Sequence, residues 1–240
     1  MCVIFLAYGQ HADHPLVLIA NRDEFYSRPT APAGYWEDFP AIYGGRDLQN
    51  GGTWLGVTEG GRFAAVTNYR DPLAPTGSRS RGDLVAEFLK SGYSPKIYLE
   101  QIENEAGEYS GFNLIVGRIG KISEIFYYSS RGGAPIELGP GFYALSNHLL
   151  DTPWPKVAKG KAAFTNLFAK GDPKTSNFFK LLADESLAAD ADLPSTGVAY
   201  DVEKAISAIF IKTPGYGTRC STVLKFDYKF RWAFEEKVFV

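Results

Sequence analysis

The sequence predicts an α+β fold with strands and helices in segregated blocks, and three observations carry that prediction. Blocks of alternating or continuous β-favouring residues are separated by two stretches with helical spacing, in the order strands, two helices, strands, two helices, strands. The 25 glycines, 14 prolines and 15% aromatic content suit a turn-rich chain that contains sheets. With 240 residues at 45% hydrophobic content, the chain is long enough to bury a full core, which predicts one domain over residues 1–240.

The first pair of strands runs over Val3 to Tyr8 and Leu16 to Ala20, with His11 to Pro15 as turn material between them. A hairpin brings the residues after Ala20, namely Asn21-Arg22-Asp23-Glu24, back beside Cys2. From Pro29 to Asn50 the prolines and the Gly44-Gly45 pair predict a loop-rich cover with glycines at turns. Gly51 to Thr58 reads as a turn into a strand, Glu59 to Arg62 as a turn, and Phe63 to Tyr69 as the partner strand that carries Asn68 at its end. Between Asp71 and Arg81 lies a Pro/Gly/Ser loop with Arg79 and Arg81 in it.

A helix is expected from Asp83 to about Ser91, where Leu84, Val85, Phe88 and Leu89 share one face, and a second over Pro95 to Asn104. Strands follow over Phe112 to Val116, Ile122 to Tyr128 and Phe142 to Ser146. The next helical layer covers Pro155 to Ala169 and Ser176 to Ala183. Asp184 to Thr196 reads as a mobile, acidic surface loop and Val202 to Phe210 as a short helix. Thr218 to Asp227 and Arg231 to Val238 form a closing hairpin. No internal repeat or low-complexity tract appears.

Net charge of −2 with 22% charged residues argues against nucleic-acid or membrane-surface binding by bulk charge. The two cysteines, Cys2 and Cys220, supply neither a disulfide framework nor a cysteine-built zinc site, which fits a reducing compartment. No run approaches 18 apolar residues, and the N-terminal apolar run lacks the basic flank of a signal peptide. The expected protein is cytoplasmic, without an integral membrane segment.

Cys2 is the residue to which chemistry can be attached. Removal of Met1 would give Cys2 both a thiol and an α-amine, and an α-amine with a pKa of about 7.7–8 has a neutral fraction a few hundredfold larger than a lysine at pH 7. Nucleophile and base would then sit on one residue. Asp23 would orient the ammonium, and Arg22 would lower the thiol pKa or hold an anionic substrate group. The same residues have simpler readings: a small buried hydrophobe for Cys2, an ion pair for Arg22 and Asp23, and turn or cap residues for Asn68 and Asn147. Alternation places Arg219 and Ser221 on one face and Cys220 in the core. His11, His14 and His148 lack metal-ligand spacing, and the paired glycines lack the Lys-Ser/Thr of a phosphate loop, so no metal and no cofactor is expected.

Five segments together carry a resemblance: Met1-Cys2, Asn21-Arg22-Asp23-Glu24, Gly51-Gly52-Thr53-Trp54-Leu55-Gly56, Val66-Thr67-Asn68-Tyr69-Arg70 and Gly111-Phe112-Asn113-Leu114. In that order they resemble the NRDE-domain family, also called the transport and Golgi organisation protein family, across essentially the whole chain. That family is in turn similar to the N-terminal-nucleophile hydrolases, in the cysteine branch containing penicillin V acylase and conjugated bile salt hydrolase. The resemblance implies a four-layer αββα sandwich of two mainly antiparallel sheets.

It also implies that Cys2 attacks an amide or other acyl carbonyl of a small molecule, with Asp23 on the amine and Asn68 as oxyanion donor. Asn147, Arg22 and Arg219 would complete the active-site set by shaping or charging the pocket. The hydrolases' arginine lies three residues before their aspartate, where this chain has Ala20, so Arg22 has no direct counterpart. A second expectation from the same resemblance is a non-catalytic carrier of haem or of acyl-CoA lipids on the same fold, in which Arg22, Arg79, Arg81 and Arg219 would bind propionate or phosphate groups and an aromatic-rich wall the apolar part. A structural role in membrane traffic ranks third.

Overall fold

The computed structural model describes residues 2–240; Met1, and with it the predicted removal of that residue, lies outside them. Two antiparallel sheets dominate. The first contains β1 (Cys2–Tyr8), β2 (Leu16–Phe25), β10 (Gly141–Leu145), β11 (Lys212–Thr213), β12 (Tyr216–Phe226) and β13 (Trp232–Val238). Its order is β10-β1-β2-β12-β11, with β13 also paired to β12. The second sheet runs β3-β4-β5-β6-β7-β8-β9 through β3 (Thr30–Tyr35), β4 (Ile42–Asp47), β5 (Leu55–Thr58), β6 (Arg62–Asn68), β7 (Phe112–Arg118), β8 (Glu124–Ser129) and β9 (Ile136–Glu137).

Three apolar clusters show how the layers stack. Ile4, Leu6, Leu18 and Leu224 of the first sheet meet Leu55, Phe63 and Ile115 of the second, so the sheets pack face to face. On the outer face of the second sheet lie α1 (Arg81–Lys90) and α2 (Pro95–Glu105), whose Leu84, Phe88 and Leu99 pack on Ala64, Leu114 and Val116. On the outer face of the first, α3 (Pro155–Ala169) and α4 (Thr175–Leu182) place Phe164 and Phe178 against Val3, Phe5 and Ile19. The result is the four-layer αββα sandwich. Strands β1, β2 and β6 are buried on both faces, which is why they read as nearly continuous apolar runs.

Several local expectations change. Asn21 to Glu24 continue strand β2 instead of following it, because β12 pairs with β2 as far as Phe25. The stretch expected as loop cover contains β3 and β4: Pro32 falls where the β3–β4 register shifts, so its missing N–H removes no ladder bond. Gly44 and Gly45 are strand residues of β4, and Gly45 is there for space, since a Cβ would come 2.1 Å from the Trp54 ring. Helix α1 begins two residues before Asp83, capped by Ser80, whose hydroxyl accepts from the Gly82 N–H. The helix expected over Val202 to Phe210 is α5 (Tyr200–Ala205), shorter because Ile206, Ile209 and Ile211 are drawn into the core. Among the described residues no helix is long and apolar enough to cross a membrane.

Candidate active site

The register of the first hairpin sets Cys2 opposite Arg22 and, across β2, Cys220 opposite Arg22 on the other side. Cys2 shares the inter-sheet side of β1 with Ile4 and Leu6. A buried polar chain fixes its backbone. The Ser146 hydroxyl lies 3.1 Å from the Cys2 carbonyl and also from Asn147 Oδ1. The Ser146 carbonyl accepts from Thr67 Oγ1 at 2.5 Å, Thr67 Oγ1 accepts from Asn113 Nδ2 at 3.1 Å, and the Tyr127 hydroxyl donates to Asn113 Oδ1 at 2.9 Å. These bonds cross from one sheet to the other at the level of Cys2, where a frayed strand end would otherwise be expected.

Asp23 is 1% exposed, with Oδ1 accepting from Thr218 Oγ1 at 2.7 Å. Burial raises its carboxyl pKa, while the Lys156 ammonium and the Thr218 hydroxyl act in the opposite direction. Lys156, itself 3% exposed, donates to the Ile206 carbonyl at 3.1 Å, and burial pulls its pKa down to about 8 against the attraction of Asp23. Burial raises the Cys2 thiol pKa; the Asp23 carboxylate adds to that, whereas the Asp23 backbone N–H bonded to the sulfur and the nearby Arg22 charge lower it. At neutral pH the resting sulfur is a thiol, so a nucleophilic role needs a base beside it.

Cys2, Arg22, Asp23 and Asn68 open onto one cavity of about 530 Å³, whose far wall is the loop before α1 and the first residues of that helix. Each conspicuous sequence motif builds part of it. Gly52 lets its backbone approach that of Gly82, where a Cβ would come within 2.5 Å, and the Thr53 N–H donates to the Gly82 carbonyl. Trp54 stacks under the Arg22 guanidinium at 4.0 Å, and Arg22 Nη1 donates to Thr30 Oγ1 at 3.0 Å. Asn21 points away and binds the Leu182 and Ile209 carbonyls, tying β2 to the segments around α4 and α5.

The predicted site residues divide. Cys2, Arg22, Asp23, Asn68, Arg79 and Arg81 line the cavity, but Asn147 and Arg219 do not. Asn147 is fully buried and donates from Nδ2 to the Asn68 carbonyl at 3.0 Å, so it braces Asn68. Arg219 occupies the bulge between Thr218 and Cys220, and its guanidinium is spent on the carbonyls of Phe25, Tyr26, Arg28 and Val240. Arg79 is held by Glu87, Glu105 and Glu108. Cys220 is buried and both cysteines are free thiols.

Lys156, Thr218, Ser146 and the Arg70–Glu203 pair surround this region and were not singled out by sequence. One signal for Lys156 was available: it lies one turn before Gly160, which packs against Phe5, so a lysine falls on the buried face of α3.

A family model described as Transport and Golgi organisation 2 matches residues 1–240. The chain is 37% identical to a Transport and Golgi organization protein 2 homolog of Bos taurus over 255 residues, covering 99% of this chain and 92% of the relative. In structure it is similar to a Caenorhabditis elegans N-acylethanolamine-hydrolyzing acid amidase ortholog, with TM-score 0.51, 12% identity and 93% and 92% of the two chains covered. It is equally similar, at TM-score 0.51 and 10% identity over 100% and 97% of the chains, to a mutant conjugated bile acid hydrolase from Clostridium perfringens.

Proposed function

The chain belongs to the Transport and Golgi organisation 2 family and has an N-terminal-nucleophile-hydrolase-like fold, and from that premise we propose that it is an N-terminal-cysteine hydrolase of small acyl compounds. The bond cleaved is an amide or another acyl linkage. In this reading Met1 is removed and the Cys2 amine takes the thiol proton. The sulfur then adds to the substrate carbonyl carbon, forming a C–S bond. Asn68 and a backbone N–H meet the developing oxyanion, a contact that contributes roughly 2.7–4 kcal/mol to barrier lowering in comparable sites. Collapse breaks the bond to the leaving amine or thiol, which takes the proton from the ammonium. Water, deprotonated by the same amine, adds to the thioester, and loss of the Cys2 sulfur releases the acid.

The observation that carries this reading is that Cys2, Asp23 and Asn68 all line one cavity, with no hydrogen-bond partner for the Asn68 side chain among the described residues. Two cysteines without a disulfide framework fit a reducing compartment, which supports a cytoplasmic location. The carrier of haem or acyl-CoA lipids is the second reading. A porphyrin or acyl chain needs a mostly apolar wall, whereas Trp54 and Val66 are the large apolar side chains in a lining otherwise rich in Arg, Asp, Ser and Thr.

The test is a panel of acyl amides and acyl thioesters, with intact mass showing whether Met1 is absent and peptide mass showing an acyl group on Cys2. Loss of turnover in Cys2→Ala supports the mechanism. Met1 retained in the mature protein, or turnover unchanged in Cys2→Ala, removes it.

A further inference from the structure

The cavity holds four arginines and four acidic residues, yet their pairing is uneven. Arg28 is neutralised by a two-pronged contact with Asp47, at 3.2 and 2.6 Å. Arg79 is surrounded by Glu87, Glu105 and Glu108. Among the described residues neither Arg22 nor Arg81 forms an ion pair. Arg22, 5% exposed, bonds to Thr30 and stacks on Trp54; Arg81 bonds to the Gly111 carbonyl at 3.3 Å. Each uses one of five N–H donors in a protein hydrogen bond.

The remaining acids offset these two charges only in part: the Glu24 carboxylate acts on Arg81 electrostatically, without an ion-pair contact. Asp23 is bonded to Thr218, and Glu24 accepts from the Phe25 N–H at 2.8 Å. Both guanidinium groups are close enough to the Cys2 sulfur to act on it electrostatically. Two guanidinium groups beside a nucleophile, one buried and one half-buried and neither in an ion pair among the described residues, are a costly arrangement unless an anion completes it.

We propose that Arg22 and Arg81 form an anion-binding subsite next to Cys2, so that the acyl compound accepted there carries a carboxylate or phosphate group close to the scissile carbonyl. This deepens the hydrolase reading and rests on it for the word substrate; the anion subsite itself does not require turnover. A planar carboxylate would face the edge of Arg22 left open by its stacking on Trp54, and Arg81 would close from the opposite wall.

Iodoacetate and iodoacetamide are near-isosteres that alkylate the same sulfur and differ by one negative charge, so their rate ratio at Cys2 reads the subsite directly. The ratio at Cys2, relative to the ratio measured on glutathione, is expected to favour iodoacetate by about tenfold or more, the scale of one charge-assisted hydrogen bond. Removing an arginine also changes the thiol pKa, but that slows both reagents together and cancels in the ratio. Arg22→Gln and Arg81→Gln should each bring the ratio back towards that of glutathione. Arg81→Lys, which keeps the charge, should retain part of the preference, and the distant Arg231→Gln should leave it unchanged. Protection of Cys2 by glutarate but not by inorganic phosphate identifies a carboxylate, and the reverse identifies a phosphate.

A ratio equal to that of glutathione in the native protein, or one unmoved in Arg22→Gln and Arg81→Gln variants with native urea midpoints, overturns the proposal. Alkylation needs neither a freed amine nor a hydrolysed bond. A Cys2→Ala protein with unchanged turnover would therefore sink the hydrolase and leave the anion subsite standing.

Discussion

Lys156 gives the sharpest quantitative test of how this site is built. Its ammonium is buried beside Asp23 and its pKa falls from the ordinary 10.5 to about 8. Between those two values the unfolded chain binds more protons than the folded one. Stability from this group is therefore fully present above the unfolded pKa and is lost as pH falls through the folded one. In Lys156→Met the contribution vanishes, so the stability difference between native protein and variant should grow in favour of the native protein by roughly 2–3 kcal/mol from pH 7 to pH 10.

Losing the bond to the Ile206 carbonyl adds a pH-independent offset of roughly 1–3 kcal/mol, and the slope is the diagnostic. The Asp23 carboxyl, deprived of Lys156, would be pushed further up, which weakens the variant as pH rises and acts in the same direction. Urea denaturation of both proteins at half-unit pH steps is the assay. Asp23→Asn should shift the rise to lower pH, because the attraction that holds the lysine proton is gone. Parallel stability curves for native protein and Lys156→Met would refute the buried-lysine account.

Other consequences follow from the same geometry. Gly45→Ala puts a methyl 2.1 Å from the Trp54 ring, displaces the platform under Arg22, and should cost roughly 1–3 kcal/mol in urea unfolding. The alkylation rate of Cys2 should rise with pH to a midpoint above the ordinary 9.0, and Arg22→Gln should move that midpoint higher still, read by peptide mass after timed iodoacetamide treatment. Arg219→Ala strips hydrogen bonds from the carbonyls between Phe25 and Arg28 and should lower stability by roughly 1.5–3 kcal/mol; Arg219→Lys should recover less than half of it, since an ammonium cannot span all of them. A melting temperature unchanged in Arg219→Ala would show that the bulge does not depend on that guanidinium.

The legible part of this molecule was the part governed by local periodicity. Helix α3 was predicted with its observed ends, because Pro155 starts it and the apolar spacing runs unbroken to Ala169. Strands β1, β5, β6 and β7 showed themselves as apolar runs because both their faces are covered. What misled was punctuation. Gly44, Gly45 and Pro32 look like breakers, yet they lie in β3 and β4, where Gly45 makes room for Trp54, Gly44 for the Leu55 carbonyl of β5, and the proline sits at a register shift.

Chain order by itself determined the segregated α and β blocks, the first hairpin and hence the meeting of Cys2 with Arg22, because short-range pairing and spacing are written in neighbouring residues. The tertiary structure alone decided which charges face the cavity and which are consumed. Arg219, three residues after Tyr216 in sequence, is captured by carbonyls near Phe25, while Arg81 reaches the wall opposite Cys2. It also placed Lys156, some 130 residues downstream of Asp23 in the chain, in electrostatic contact with that carboxylate. The physical reason is range: alternation and helical pitch fix which side of an element a residue takes, but desolvation and ion pairing depend on what another layer brings against that side.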